Sequence, residues 1–335
     1  MLTVKTLRGL ALAVLLSTSV PALAAPATAE SLSSRRAAAV PCGDVAELSN
    51  QINQANTVGF GVIALAAGCT YTLTTPAETS GPDGANGLPT ITGHLIIYGT
   101  AATIIRDSAT PFRIADVAPQ GSLGLQGITV SGGSATADPG TQGGGILAHG
   151  NLTLVASTVT GNTASGIGGG IAVAAGAVAQ LTAGTVSANQ ASDGAGIHVS
   201  ASGRLTVTSG SVTDNTATFT GGGLANFGST VLTSSTIRDN TTDTFEGGGI
   251  YTATGPLTVT GGSIAENTAA TYGGGIASYG STVQLVGTSV QDNTAGEQGG
   301  GVYKNSGTFR LIGGRVTGNT PDQCAPAGAV PGCPQ

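Results

Sequence analysis

Charge is scarce in this 335-residue chain: Asp, Glu, Lys and Arg together make up only 8%. Lys5 and Lys304 are the only lysines, and the formal net charge is −6. With no stripe of Lys and Arg, the electrostatic footprint of a nucleic-acid binder is excluded. Tryptophan is absent and the four cysteines fall in two distant groups, Cys42/Cys69 and Cys324/Cys333. No clustered Cys/His spacing accompanies them, which argues against a zinc-type site. None of the glycine clusters leads into a helical pattern or carries Lys followed by Ser or Thr, so none is a phosphate loop. No serine stands in a nucleophile-elbow motif. Beyond residue 24 there is no apolar run of membrane length.

What the chain has is glycine, 56 residues of it, together with small polar residues. That composition alone would suit a disordered polymer. Regular aliphatic columns within it argue instead for a stacked architecture. Asn162, Asn189, Asn215, Asn240, Asn267, Asn293 and Asn319 recur at spacings of 27, 26, 25, 27, 26 and 26. Upstream of each lies an aliphatic pair five residues apart: Leu154/Val159, Leu181/Val186, Val207/Val212, Leu232/Ile237, Val259/Ile264, Leu285/Val290 and Leu311/Val316. A small-residue triplet follows six of the asparagines, as in Gly247 to Gly249 and Gly273 to Gly275, and Gly143 to Gly145 opens the array. Short segments rich in Val, Ile and Thr at this period predict a β-solenoid with three short faces per coil. Stacked at about 4.8 Å, equivalent asparagines would hydrogen-bond along a structural column and help the chain through a tight, left-handed bend.

The pairing of Gly-Gly-Gly-Ile, as at Gly273 to Ile276, with Ile-x-x-Asn, as at Ile264 to Asn267, resembles the tandem repeats of the polymorphic outer-membrane protein family. Val or Ile stands here where that family has Phe. More broadly, the array resembles the right-handed parallel β-helix superfamily over roughly residues 120–320. The resemblance implies an all-β, right-handed parallel β-helix, here of about ten coils, and an adhesin-like surface role. The same superfamily includes polysaccharide lyases and glycoside hydrolases, which keeps an enzymatic alternative open.

Read in order, residues 1–24 form a secretory signal: Lys5 and Arg8, an apolar run, then Ala22-Leu23-Ala24. Its removal would shift the net charge from −6 to −8. Residues 25–41 read as a flexible leader, 42–69 as an N-terminal cap, 70–320 as the β-helix and 321–335 as a disulfide-containing tail. In the cap, Asp44 precedes Val45, Leu48, Ile52 and Ala55, which share one helical face and would cover the open end of the coils. After a signal peptide, disulfides are the expected state, and locality favours Cys42–Cys69 and Cys324–Cys333. The Pro- and Gly-rich segment from Thr75 to Leu88 exceeds the usual connection and is either disordered or functional.

Two groups of residues carry candidate chemistry. The residue before the Asn is Asp214, Asp239, Glu266 and Asp292 in four successive coils. Stacked carboxylates about 5 Å apart repel by roughly 0.8 kcal/mol in water and about 3 kcal/mol at an effective dielectric of 20. They form either a solvated edge or a site for calcium, the one cofactor the sequence suggests. Aromatics cluster from Phe219 to Phe309, most of them beside the glycine triplets. Phe219, Phe245, Glu246, Tyr251, Tyr272 and Tyr303 would form a binding edge for an extracellular glycan or surface protein, unless the rings only stack between coils. No catalytic signature appears; an enzyme could take its carboxylate pair from Asp243 and Glu246 or from neighbours in the acidic column. His94, His149 and His198 stand alone and read as structural or surface residues. The expectation is thus a secreted or cell-surface monomer with no transmembrane segment after signal removal.

Overall fold

A computed structural model describes residues 39–137 and 141–334. The expected signal lies outside these residues, as does nearly all of the leader. Over the described residues the chain forms an all-β parallel solenoid of about nine turns, preceded by one short helix, Val45–Val58. Three parallel sheets of 18, 9 and 7 strands run along it. Two faces share the largest sheet because the early strands His94–Arg106 and Ser122–Ser131 pass through the corner between them. Later coils break at that corner in left-handed residues, among them Ala156, Ala183, Ser209 and Ser234.

The aliphatic pairs are the inward rungs of this large sheet. Leu154, Leu181, Val207, Leu232, Val259, Leu285 and Leu311 align in register. Val159, Val186, Val212, Ile237, Ile264, Val290 and Val316 form the second column. All but Leu311, in the last coil, are buried. Each such side chain is worth roughly 1.5 to 3 kcal/mol against exposure, so every coil adds a similar increment of stability. In the first coil the segment from Thr75 to Leu88 takes the place of a regular third strand and is joined by isolated bridges.

The seven asparagines make a continuous amide ladder. Each Oδ1 from Asn189 onward accepts from both the backbone N–H and the Nδ2 of the preceding Asn, at 2.9 to 3.1 Å. Each Nδ2 also donates to the carbonyl of an inward aliphatic residue one coil back, as Asn240 does to Val212 at 2.9 Å. Gln323 Oε1 closes the chain below Asn319. The left-handed bend belongs not to the asparagines but to the residue before each: Gly161, Ala188, Asp214, Asp239, Glu266, Asp292 and Gly318 all have positive φ. The tight bend is therefore made one residue earlier, leaving Asn free to point inward.

The glycine triplets answer two different needs. Gly247 turns the chain at φ 67, whereas a Cβ on Gly248 would collide with the Thr268 carbonyl of the next coil. The helix covers the first coil with Leu48, Ile52 and Ala55. Asp44 Oδ1 accepts from the Glu47 N–H at 2.9 Å at its start, and Gly59 ends it in a left-handed turn. Disulfides join Cys42 to Cys69 and Cys324 to Cys333, one at each end of the array. Among the described residues, no helix is long and apolar enough to cross a membrane.

Candidate functional site

The nine-stranded sheet is built of very short strands, mostly of three residues, such as Ile197–Val199, Leu224–Asn226 and Val302–Lys304. Their first residue packs into the core, and alternation turns the second outward. In successive coils this outward position holds Ala172, His198, Ala225, Tyr251, Ala277 and Tyr303, all in register. Where it is Ala225 or Ala277, the residue two further on is aromatic: Phe227 or Tyr279. Rings therefore alternate between two offsets and meet diagonally across the coils.

This zigzag is continuous. Ring centroids are 5.3 Å apart for His198 and Phe227, 5.7 Å for Phe227 and Tyr251, 5.6 Å for Tyr251 and Tyr279, and 6.0 Å for Tyr279 and Tyr303. Tyr272 stacks on Tyr303 at 4.6 Å. These separations fall within the favourable range for tilted or offset aromatic pairs. Phe219 and Phe245 form a pair of their own, 5.7 Å apart and 40% and 46% exposed. Of the six expected binding residues, the structure stacks Tyr272 directly on Tyr303 and joins both to Tyr251 through Tyr279. Phe227 and His198 extend the run beyond Tyr251, and none of these three added rings is marked as a binding residue by sequence spacing.

Carboxylates line the ladder. Tyr279 donates its hydroxyl proton to Glu246 Oε1 at 2.6 Å. Burial and then the Glu246 carboxylate drive the Tyr279 phenol far above its ordinary range. Glu246 itself is raised, chiefly by burial, with Tyr279 opposing and Glu297 adding to the shift. Burial also raises Tyr251, with smaller effects of Glu246 and Asp193. Asp193 accepts from the Thr220 hydroxyl at 2.6 Å. His198, buried against Phe227, is pushed down to about 4 by loss of solvent. The face combines apolar rings with acceptors, which suits ligands that present both CH surfaces and hydrogen-bond donors.

The other expected residues lie elsewhere. Asp243 lines a shallow depression with Thr163, Thr216 and Thr218, on the side of the seven-stranded sheet. Glu246, bonded to Tyr279, belongs to the ring ladder instead. Asp214, Asp239, Glu266 and Asp292 occupy the left-handed corner, a conformation in which Asp is enriched. Arg238 reaches two of these carboxylates, Asp239 at 3.0 Å and Glu266 at 2.8 Å. Among the described residues, no group of three or more His, Cys, Asp and Glu is placed to hold a metal ion.

The segment from Thr75 to Leu88 is fixed by polar contacts. Glu78 accepts from the Thr90 backbone and from Asn86 Nδ2, both at 3.0 Å, and from the Thr90 hydroxyl. Arg113, 1% exposed, donates to Asn86 Oδ1 at 2.8 Å and to the Asp83 carbonyl. His149 Nε2 lies 3.1 Å from Asp83 Oδ2. His149 therefore has a partner 66 residues away in sequence, where it had read as isolated. No protein-family model, curated protein or solved structure matches the chain.

Proposed function

We propose that this chain is a secreted or cell-surface, adhesin-like β-solenoid that binds an extracellular glycan along the aromatic ladder without cleaving it. The unbroken run of rings from His198 through Phe227, Tyr251 and Tyr279 to Tyr303 and Tyr272 carries this reading. A rigid, linear, half-apolar strip spanning five coils, roughly 19 Å along the stack, suits an extended polymer better than a small molecule. Glu246 and Asp193 beside it supply acceptors for hydroxyl or amine donors. The resemblance to surface-adhesin repeats points the same way, and a protein partner on the same strip is the nearest variant.

A polysaccharide lyase or hydrolase is the rival reading. The upward shift of the Glu246 carboxyl, chiefly from burial, favours it, because general acids are tuned in that direction. Asp243, on another side of the coil, gives it no support as a partner. The test is a polysaccharide pull-down with the mature protein, with calcium and with chelator, assayed together for new reducing ends and unsaturated products. Binding without new ends, lost in Tyr251→Ala and Tyr272→Ala, is the expected result. New ends or unsaturated sugars would make the protein an enzyme. Binding that needs calcium would bring Asp214, Asp239, Glu266 and Asp292 forward as a metal site.

A further inference from the structure

Outside the aromatic ladder, a second polar site lies at the other end of the same solenoid face. A cavity of about 180 Å³ sits under the segment from Thr75 to Leu88, between Asp83, Asp116, His149 and the apolar walls of Pro82, Ala118 and Pro119. Asp116 occupies the outward middle position of the strand Ala115–Val117, in register with Leu147. It is only 6% exposed, and its Oδ1 is sealed from solvent with no hydrogen-bond partner. A buried carboxyl oxygen left this way is costly, and native structures rarely tolerate one without a reason.

The neighbours do not relieve it. Arg113 directs its guanidinium elsewhere, Nε to the Gln142 carbonyl, Nη1 to Asn86 Oδ1 and Nη2 to the Asp83 carbonyl, and no hydrogen bond runs from it to Asp116 Oδ1. Glu78 is likewise occupied by Thr90 and Asn86. Around the cavity, three carboxyl groups face one guanidinium and one imidazole, and all of these act on the charge of Asp116. At about 30 Å³ per water, the space would hold roughly six waters, more than one orphaned oxygen requires and less than a drug-sized ligand fills. A hard metal ion would need six or more oxygen ligands, and no such cluster forms here. A primary ammonium supplies three donors and the missing positive charge, and the proline and alanine walls accept its carbon body.

We propose that this cavity is a second binding site, for the primary ammonium of a small aliphatic body, held between the Asp116 and Asp83 carboxylates. Two sources share that chemistry: a free alkylamine, or the amino-sugar end of a glycan. The site stands independently of the aromatic ladder. Titration calorimetry of the mature protein at pH 7 with propylamine, putrescine, glucosamine, glucose and N-acetylglucosamine tests it. Amines should bind and their neutral counterparts should not; preference for glucosamine over propylamine identifies the sugar as the source, and the reverse identifies a free amine. Asp116→Asn should weaken amine binding at least about tenfold. Asp83→Asn, at a site 30% exposed, should weaken it in the same direction and guards against a folding defect in the first variant. Tyr251→Ala should leave amine binding intact while polymer binding falls. The proposal is overturned if no amine binds, if glucose binds as tightly as glucosamine, or if both Asn variants bind amines like the parent.

Discussion

His198 shows how one side chain can tie the ladder to pH. Its imidazole is 7% exposed and is held neutral down to about pH 4, whereas in the unfolded chain it protonates near 6.5. Between those values the unfolded chain binds the extra proton, so stability falls as pH drops from 6.5 towards 4 and changes no further below that. The full effect is about 3 kcal/mol. His198→Phe preserves an aromatic ring at the start of the ladder and removes this titration. Thermal unfolding at pH 7 and pH 4.5 should show a smaller loss of Tm in the variant than in the parent; an equal loss would mean that the imidazole is not held neutral. Asp116 runs in the opposite sense. Burial raises its carboxyl, so the cost of its charge is absent below the ordinary value of 3.8 and grows as pH rises through the folded-state value.

At the scale of the coil, the asparagine ladder and the aliphatic columns act together. Removing the amide in Asn240→Ala takes the Oδ1 acceptor from Asn215 N–H and Nδ2, and the Nδ2 donor from the Val212 carbonyl. Asn215 and Asn240 are fully buried, so water can replace these bonds only by opening the coil. A loss of about 3 kcal/mol or more is expected, lowering Tm by roughly 6 °C or more. A variant melting within a degree of the parent would show that the ladder bonds contribute little. These columns were legible in the sequence because an inward rung accepts only a few aliphatic residues, so pairs such as Leu232/Ile237 repeat visibly. The corner before each Asn was harder to read, since Gly, Ala, Asp and Glu all occupy it and only their shared positive φ unites them. The zigzag has no single sequence register, because Phe227 and Tyr279 sit two residues from the position that holds Tyr251 and Tyr303. The cavity under the segment from Thr75 to Leu88 could not be seen at all: Asp83 and His149 meet across irregular coils that no period aligns.

Over the whole molecule, a stack in which each coil mainly touches its neighbours is most vulnerable at its ends. The two disulfides close loops with sequence separations of 27 and 9 at those ends. By the loop-entropy relation they contribute about 3.5 and about 2.6 kcal/mol. Cys42→Ser with Cys69→Ser should therefore expose the helix and first coil to hydrogen exchange while amides near Asn240 stay protected. Uniform loss of protection along the chain would instead mean that the solenoid unfolds as a single unit.

The alternating offset of the rings gives the aromatic face a parity. Loss or gain of one 26-residue unit by recombination would leave the inward columns and amide ladder in register, because every rung there is alike. The same event would bring together two coils with rings at the same offset, replacing a diagonal contact with one ring directly above another. An internal change of length therefore keeps the alternation only when it adds or removes two coils at a time. Internal changes in its reach would then come in steps of roughly 10 Å, twice the spacing of the coils themselves.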